Sequence, residues 1–120
     1  MLKYHKIKGK EAVAELADDN YRINNADDIL DLMAIMGSEN CSSILIRKNN
    51  LTDDFFDLKT GVAGEILQKF SNYFVKAAIV GDFSSYKSKS LQDFIRESNR
   101  GNSIFFTTSY DSALVFLSGK

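Results

Sequence analysis

Three short, almost uninterrupted apolar runs constrain the fold of this chain more than any other feature. The runs are Ser43–Arg47, Lys76–Val80 and Ser103–Thr107, each of a length typical of a strand. They alternate with longer segments of helical periodicity. Because strands separated by helices pair in parallel and are covered on both faces, the pattern predicts an α/β domain with a mostly parallel sheet.

The first part of the chain predicts an antiparallel extension of that sheet. Leu2–Ile7 and Glu11–Ala17 have the pattern of two strands in a tight hairpin, where Gly9 supplies the positive φ of the turn. In the second strand, Val13 and Glu15 alternate with alanine and leucine, which indicates a strand covered on both faces.

Four amphipathic helices complete the predicted order. The first follows an N-cap at Asn24 or Asn25, has an acidic first turn and ends with Gly37 at the C′ position. The other three are Val62–Phe74, Leu91–Asn99 (closed by Gly101) and Asp111–Leu117 (capped by Thr108 or Ser109). The order β-β-α-β-α-β-α-β-α predicts one domain over residues 1–120, an open mixed, mostly parallel sheet with helices packed on it.

Composition and charge exclude several classes of function. The formal net charge is -1 and the basic residues are scattered, so nothing favours binding to nucleic acid or to an anionic membrane. No apolar run approaches the ~20 residues that cross a bilayer, and the first residues lack the apolar region of a secretory signal. The single cysteine, Cys41, excludes an internal disulfide and suits the cytoplasm.

Neither a metal site nor a cofactor is predicted. His5 is the only histidine, and no serine, cysteine or acidic residue stands at a recognisable spacing from it. One histidine and one cysteine exclude a zinc site of the usual composition, and the glycines match neither a P-loop nor a dinucleotide fingerprint. Most phenylalanines fall at core periodicities and predict packing; they are Phe55, Phe56, Phe70, Phe74, Phe94, Phe105, Phe106 and Phe116.

The element order also predicts where a site would lie. In an open α/β sheet, ligands and partners meet the carboxyl ends of the strands. Here those ends lead into Asn49–Gly61, Gly81–Ser90 and Thr107–Ser109. The first of these loops is long for a connection between a strand and a helix, and long connections are often functional.

A carboxylate, a hydroxyl and a glycine meet at the predicted start of the central helix. Asp57, Thr60 and Gly61 precede unpaired N–H groups and the positive end of a helix dipole, which attract anions. Phosphate on Thr60 would be stabilised there, so these residues are candidates for a phosphoacceptor or a partner contact. The alternative is that Thr60 is an N-cap and Asp57 a turn residue.

Several aspartates follow the strands. Asp53, Asp54 and Asp57, with Asp82 after the next strand, could form an acidic pocket for a hard cation such as Mg²⁺. Thr52 before two aspartates equally marks the cap and acidic first turn of a short helix. The helix is favoured, because ligands at unremarkable spacing are weak evidence for a metal site.

The loop Gly81–Ser90 begins with polar and aromatic side chains. Asp82, Ser84 and Tyr86 are candidate partner contacts, with Phe83 and Tyr86 as anchors. The other interpretation is a turn whose aromatic side chains fold back on the core. The sequence does not rank the two.

Polar residues are also concentrated before the last strand. Arg96 and Arg100 are four residues apart and, with Asn99, are candidates for binding a carboxylate or phosphate. The competing interpretation is a helix C-terminus, where cations meet the negative end of the dipole and Gly101 follows at C′. That interpretation does not require both Ser98 and Asn99.

Two families resemble this chain. The stretches LTDDFFDLKTG (51–61), AIVGDF (78–83) and ESNRG (97–101) are similar to a small bacterial family described only as a domain of unknown function. That resemblance covers nearly the whole chain and implies no activity.

The second resemblance is to STAS domains, the fold of anti-sigma-factor antagonists. It is carried by the element order, by Asp57, Thr60 and Gly61 at the central helix, and by the ending Ile104–Leu114. In STAS domains a Ser or Thr in this turn is phosphorylated by a partner kinase, which switches protein binding, and the resemblance implies that role for Thr60. The turn here departs from the family's more compact spacing, and the loop before it is longer.

These observations favour a non-enzymatic, cytoplasmic regulatory or protein-interaction domain with an unidentified protein partner. The alternative is a small-molecule-binding protein or an enzyme acting on an anionic metabolite. Arg96 and Arg100 in one pocket would favour the ligand, whereas both turned to solvent would favour the interaction domain. A homodimer that uses exposed aromatic side chains is a third hypothesis.

Overall fold

The computed structural model describes residues 2–6 and 12–118, within which five strands form one sheet in chain order. The strands are β1 (Leu2–His5), β2 (Val13–Leu16), β3 (Ser43–Arg47), β4 (Lys76–Val80) and β5 (Ile104–Thr107). The helices are α1 (Ala26–Gly37), α2 (Asp53–Phe56), α3 (Val62–Asn72), α4 (Lys89–Arg100) and α5 (Tyr110–Leu117).

The sheet is wound in one direction. β1 pairs antiparallel with β2, and β2, β3, β4 and β5 pair in parallel. Each parallel connection joins two strands that are neighbours in the sheet, and the chain always advances across the sheet in the same direction. Since such crossovers are right-handed, their helices lie on one face of the sheet. That face packs against α1, α3 and α4, whereas α5 packs on the other. Among the described strands the parallel order does not reverse, so this part of the sheet has no crevice of the doubly wound kind.

Both faces of the sheet are buried, and alternate side chains of the same strand belong to the cores on opposite faces. Ile44 and Ile46 belong to the larger core, and Leu45 between them belongs to the smaller core under α5. Ser43 Oγ donates a hydrogen bond of 3.2 Å to the carbonyl oxygen of Leu117, which ties the end of α5 to the start of β3.

The structure confirms the predicted mixed, mostly parallel sheet, and β3 and β4 have the predicted bounds. The hairpin strands are shorter than predicted, and the predicted turn at Gly9 lies outside the described residues. The short helix favoured after Thr52 is present as α2 in the long loop after β3, although the predicted element order did not include it.

Helix α1 begins as predicted but ends differently. The side chain of Asn25 caps its first turn. The prediction that Gly37 occupies the C′ position was wrong: Gly37 is the last helical residue, and the left-handed residue is Asn40, with φ 54°. Cys41 N donates to Met36 O at 3.0 Å, which closes the turn as a Schellman motif. Asparagine suits this position because its short polar side chain tolerates the left-handed region.

Helix α3 ends in the same kind of turn, but with a bulky residue in the left-handed position. Val75 N donates to Phe70 O at 2.9 Å and Phe74 N donates to Ser71 O at 3.3 Å. The φ angle of Phe74 is 56°, and the residue is 88% exposed. The prediction that the helix continues to Phe74 and buries its ring was therefore wrong. Glycine is usual here because a Cβ is strained in this conformation.

Candidate functional site

Loops that follow neighbouring strands meet at the carboxyl edge of the sheet. Arg22 follows β2, Lys48 follows β3 and Asp82 follows β4. Lys48 Nζ donates to the carbonyl oxygen of Asp82 at 2.8 Å, and Gly81 N donates to Thr107 O at 3.0 Å. The loops after β3, β4 and β5 are therefore joined to one another.

A buried amide positions the loop after β2. Asn50 is fully buried; its Nδ2 donates to Asp18 O at 3.0 Å and to Tyr21 O at 2.9 Å, and its Oδ1 accepts from Arg47 N at 3.0 Å. These bonds pin the β2–α1 loop to the end of β3 and so position Arg22. Asn50 was not predicted from the sequence, because two adjacent asparagines in a polar loop give no sign of which one is buried.

Two adjoining depressions share Lys48 and Asn49, and together we call them the carboxyl-edge groove. The first has a volume of about 400 Å³ and the second of about 340 Å³. Besides the shared pair, the first is lined by Arg22, Leu51, Thr52, Asp53, Phe56 and Tyr86, and the second by Arg47, Val80, Gly81 and Asp82. The groove thus combines both signs of charge with aromatic faces.

Gly81 permits the close approach of the loops after β3 and β4. A Cβ at Gly81 would lie 2.5 Å from Lys48 Cβ, which is the base of that side chain and not its flexible end. A glycine is therefore needed for Lys48 to cross over the end of β4.

Tyr86 contacts both an aromatic ring and an ammonium group. Its ring centroid lies 4.8 Å from that of Phe56, with the planes 14° apart, and Lys48 Nζ is 4.9 Å from the same centroid. Burial and the charge of Asp53 raise the pKa of Tyr86, so its hydroxyl stays protonated at neutral pH. Phe83 is buried in the larger core and Tyr86 is partly buried against it, so both aromatic side chains fold back on the core, and a partner contact at Tyr86 stays a prediction.

Asp82 and Ser84 form a local turn at the groove. Ser84 N and Ser84 Oγ donate to Asp82 Oδ1 at 2.9 and 2.7 Å. These two bonds lower the pKa of the Asp82 carboxyl below its ordinary value. The carboxylate therefore remains charged at the groove and can accept hydrogen bonds from a cationic group.

The hydroxyl of Thr60 lies at the start of α3, within reach of three backbone groups. Thr60 Oγ1 is 2.6 Å from Asp54 O and 2.9 Å from Asp57 O, and it accepts from Val62 N at 3.2 Å. A hydroxyl has one proton, so it donates to one carbonyl at a time. Gly61, with φ 80°, is the N-cap residue, and Thr60 caps the helix from one position earlier.

Helix α2 connects Thr60 to the carboxyl-edge groove. Thr60 is exposed and does not line the groove itself. Its hydroxyl contacts Asp54 of α2, whereas Asp53 and Phe56 of the same helix line the groove. A change at the Thr60 hydroxyl can therefore reach the groove through one turn of helix.

The aspartates after β3 serve local structure. The predicted short helix is present at Asp53–Phe56, although the side chain of Thr52 makes no capping bond. Asp57 Oδ1 accepts from Lys59 N at 3.2 Å and caps the next turn. Across residues 2–6 and 12–118, no group of three or more His, Cys, Asp or Glu side chains is arranged to hold a metal ion.

Each of the two arginines before β5 pairs with a carboxylate of its own helix. Arg96 Nη1 donates to Asp93 at 2.7 Å and Arg100 Nη1 donates to Glu97 at 3.2 Å, each within one turn of α4. Both arginine side chains are more than half exposed. The sequence-based expectation was that two arginines in one pocket would favour a ligand, whereas two arginines turned to solvent would favour an interaction domain. The observed arrangement is the second of these.

The side-chain amide of Asn99 forms hydrogen bonds to the backbone of β5 of the kind that a neighbouring strand would form. β5 is an edge of the sheet, and Asn99 reaches the outer side of Phe106 with both ends of its amide. Its Nδ2 donates to Phe106 O at 3.1 Å and its Oδ1 accepts from Phe106 N at 2.8 Å. Since these bonds occupy the amide, the structure does not bring Asn99 together with the arginines.

A buried polar cluster that was not predicted from the sequence lies on the α5 face of the sheet. Glu15 Oε1 accepts from His5 Nε2 and from the hydroxyl of Tyr110, both at 2.6 Å, and its Oε2 accepts from Arg47. The side chain of Glu15 is 7% exposed. One carboxylate therefore joins β1, β2, β3 and α5.

The partners of Glu15 keep it ionised. Burial alone would raise its pKa, but hydrogen bonds from Tyr110, Arg47 and His5 lower it from 4.5 to about 2. The bond to Glu15, followed by burial, raises the pKa of Tyr110. Arg47 also lines the carboxyl-edge groove, so the cluster and the groove share one side chain.

A signal for this cluster was present in the sequence. Glu15 lies in a strand predicted to be covered on both faces, and a buried carboxylate requires partners. The expectation that His5 lacks an acidic partner was wrong, because His5 lies opposite Val13 in the hairpin and thus diagonal to Glu15 on the same face.

The family model for a domain of unknown function, DUF4180, matches residues 8–117. The chain belongs to this family. The predicted membership in a family of unknown function is thereby confirmed. No curated protein and no solved structure matches this DUF4180 chain. Within the part of the DUF4180 domain that the structure describes, no helix has the length and apolarity required to cross a membrane.

Proposed function

We propose that this domain is a non-enzymatic regulatory module of the bacterial cytoplasm, STAS-like in fold, that binds a partner protein at the carboxyl-edge groove. Phosphorylation of Thr60 would switch that binding. The observation that carries the proposal is the 2.6 Å contact between the Thr60 hydroxyl and the carbonyl of Asp54, because it ties the start of α3 to the helix that lines the groove.

The chemistry of the groove supports a protein partner. Tyr86 offers an aromatic side chain with a protonated hydroxyl, and aromatic side chains are enriched among residues that dominate protein interfaces. Lys48 and Asp82 add one charge of each sign on the same rim. With Ser84 holding the Asp82 carboxylate in a local turn, these residues form a rim that suits complementary polar groups.

Phosphorylation would alter the groove through α2. A phosphorylated Thr60 has no hydroxyl proton to donate, so the tie to Asp54 is lost. The added charge of about -1.5 to -2 would also stand beside the carbonyl oxygens of Asp54 and Asp57. Gly61 keeps the first N–H groups of α3 accessible, which gives the phosphate a new position near the helix N-terminus. Asp53 and Phe56 would then move with α2.

Substitutions at Thr60 test the switch. Thr60→Ser keeps the hydroxyl, Thr60→Val removes it at similar volume, and Thr60→Glu adds a negative charge. In co-purification from the native host, we expect Thr60→Ser to retain the bound partner and the other two to lose it. Thr108→Glu, at an exposed threonine of the same edge, is the matched control and should retain the partner. Equal recovery with all four variants would refute the switch.

A second candidate function is the binding of a small anionic metabolite. It is favoured by one observation: Arg22, Lys48 and the amide of Asn49 line the same depression of about 400 Å³. Ligand at a hundred times its dissociation constant would stabilise the fold by about 2.7 kcal/mol. A thermal-shift screen of nucleotides and organic acids, repeated with Lys48→Ala, tests it. A shift that Lys48→Ala abolishes would favour the metabolite, and a flat screen the protein partner.

A further inference from the structure

Arg22 is the one arginine of this chain that forms no ion pair with the described residues. The other three arginines each pair with a carboxylate: Arg47 with Glu15, Arg96 with Asp93 and Arg100 with Glu97. Arg22 instead donates from Nη1 to two carbonyl oxygens of its own loop, that of Asp19 at 2.6 Å and that of Tyr21 at 3.3 Å. Its guanidinium group is therefore held in place by the backbone, while its charge has no carboxylate partner among these residues.

The two bonds of Arg22 leave the recognition edge of its guanidinium group free. In any arginine, Nε and Nη2 donate to the same side and form the fork that binds a carboxylate or a phosphate with two parallel hydrogen bonds. Neither of these atoms of Arg22 donates to the described residues, because both of its bonds come from Nη1. In Arg47, by contrast, Nη2 already donates to Glu15. Arg22 is exposed and lines the first depression of the carboxyl-edge groove, so a molecule in that groove can reach it.

The backbone on both sides of Arg22 is fixed by one buried residue. Asn50 Nδ2 donates to Tyr21 O at 2.9 Å, and Ile23 N donates to Asn50 O at 2.7 Å. Asn50 is fully buried and thus holds the chain immediately before and immediately after Arg22. A side chain that is positioned in advance loses less conformational entropy when it binds.

The charge of the first depression favours an anion. Arg22 and Lys48 are its two cationic lining residues, and Asp53 is its one anionic lining residue. The Lys48 ammonium, like the Arg22 guanidinium, donates to a backbone carbonyl oxygen, that of Asp82. The carboxylate of Asp82 belongs to the lining of the adjoining depression and not of this one. The excess of one positive charge is what a single oxyanion would neutralise.

We infer that the Nε–Nη2 fork of Arg22 binds an oxyanion, either a carboxylate or a phosphate group, of the molecule that occupies the carboxyl-edge groove; this rests on the proposed function, in which that groove is the binding site. Lys48 supplies the second positive charge, and Asn50 positions Arg22 without touching the ligand. Two sources share this chemistry, an acidic side chain of the partner protein and a free anionic metabolite.

Nuclear magnetic resonance of the full, isotopically labelled chain tests the inference, because each arginine Nε–H group gives its own signal. The probes are sodium phosphate and a capped tetraglutamate peptide, with sodium chloride and capped tetraglutamine as their controls. We expect the Arg22 signal to shift to saturation with an oxyanion probe and with neither control, while the signal of Arg96, which pairs with Asp93, does not. Tighter binding of the peptide would assign the oxyanion to a partner's acidic side chain, and tighter binding of phosphate to a free metabolite.

The variant Arg22→Lys keeps the positive charge and removes the fork. It should bind the preferred probe about tenfold more weakly, which is the loss expected for one charge-assisted hydrogen bond. Arg96→Lys is the matched control, at an exposed arginine that already has a carboxylate partner, and should bind like the wild type. Unchanged affinity of Arg22→Lys, equal shifts of all the arginine signals, or no saturable shift with either probe would overturn the inference.

Co-purification from the native host separates this inference from the proposed function. If Arg22→Lys recovers as much partner protein as the wild type while Thr60→Glu loses it, the groove stands as the binding site and the role of the fork is refuted. If the Arg22 signal shifts to saturation but every Thr60 variant retains its partner, the fork is supported and the phosphorylation switch is refuted.

Discussion

The hydroxyl of Tyr110 and the carboxylate of Glu15, 95 residues apart in the sequence, are joined by a hydrogen bond of 2.6 Å. The bond runs from the first turn of α5 to Glu15 of β2, and Val13 of the same strand packs in the smaller core under α5. It therefore adds a polar tie between the last helix and β2.

The ionised state of Glu15 predicts a loss of stability in acid. Its folded pKa of about 2 lies below the ordinary value of 4.5, so the stabilisation is fully present above 4.5 and disappears as the pH falls towards 2. The shift corresponds to about 3 kcal/mol of unfolding free energy. Urea denaturation of the wild type should show this decline, and Glu15→Gln should lack it. Glu65→Gln, at an exposed glutamate, should decline like the wild type.

Removing the hydroxyl of Tyr110 should destabilise the fold more than removing that of Tyr86. Tyr110→Phe leaves a buried carboxylate without one donor, which costs about 1.5–3 kcal/mol. The hydroxyl of Tyr86 makes no hydrogen bond to the described residues, so Tyr86→Phe should stay within about 0.5 kcal/mol of the wild type. Denaturant titration at pH 7 measures both. Equal losses would mean that the bond to Glu15 contributes nothing measurable.

The neighbouring asparagines Asn49 and Asn50 should respond in opposite ways. Asn50→Ala deletes three hydrogen bonds of a buried amide and should lower the unfolding free energy by about 3 kcal/mol. Asn49 is exposed in the groove, so Asn49→Ala should leave the unfolding free energy unchanged. It should weaken the binding of the partner protein or metabolite proposed for the groove. Chemical denaturation gives the first quantity and thermal shift with bound partner or ligand gives the second. A stable Asn50→Ala would contradict the proposed pinning of the loop.

Alanine should have opposite effects at two glycines. At Gly81 its Cβ would collide with Lys48 Cβ, and overpacking of this kind costs about 1–3 kcal/mol. At Gly64, inside α3, nothing lies within 4 Å of the added Cβ, and helix propensity should stabilise the fold by about 0.5–1 kcal/mol. Melting temperatures of the two variants should move apart on either side of the wild type. Two shifts of the same sign would contradict the close approach at Lys48.

The features that the sequence predicted correctly depend on local pattern. β3 and β4 appear as apolar runs, because burial on both faces leaves its mark on every residue of the strand. The cap at Ser109 is likewise local, since its side chain accepts from the backbone N–H of Ser112 three residues later. The position of these loops at the carboxyl edge of the sheet was predicted from the element order alone.

The features that it missed depend on distant partners or on a reversal of the chain. Asn50 bonds to carbonyls of residues 29 and 32 positions away, and the burial of such an amide has no local signature. Phe74 keeps helical spacing from Phe70, which predicted a common face. The helix ends at Asn72, so the left-handed turn points the ring outwards and the spacing loses its meaning.

The one-way winding of the sheet has a consequence for synthesis on the ribosome. Every connecting helix covers the same face, so α5, which follows all other described elements, arrives last to cover the opposite one. Until then Leu45 and Ala78 face solvent in the nascent chain, and no earlier helix can shield them. A stalled or truncated product that ends before Tyr110 should therefore be a strong substrate for chaperones and proteases.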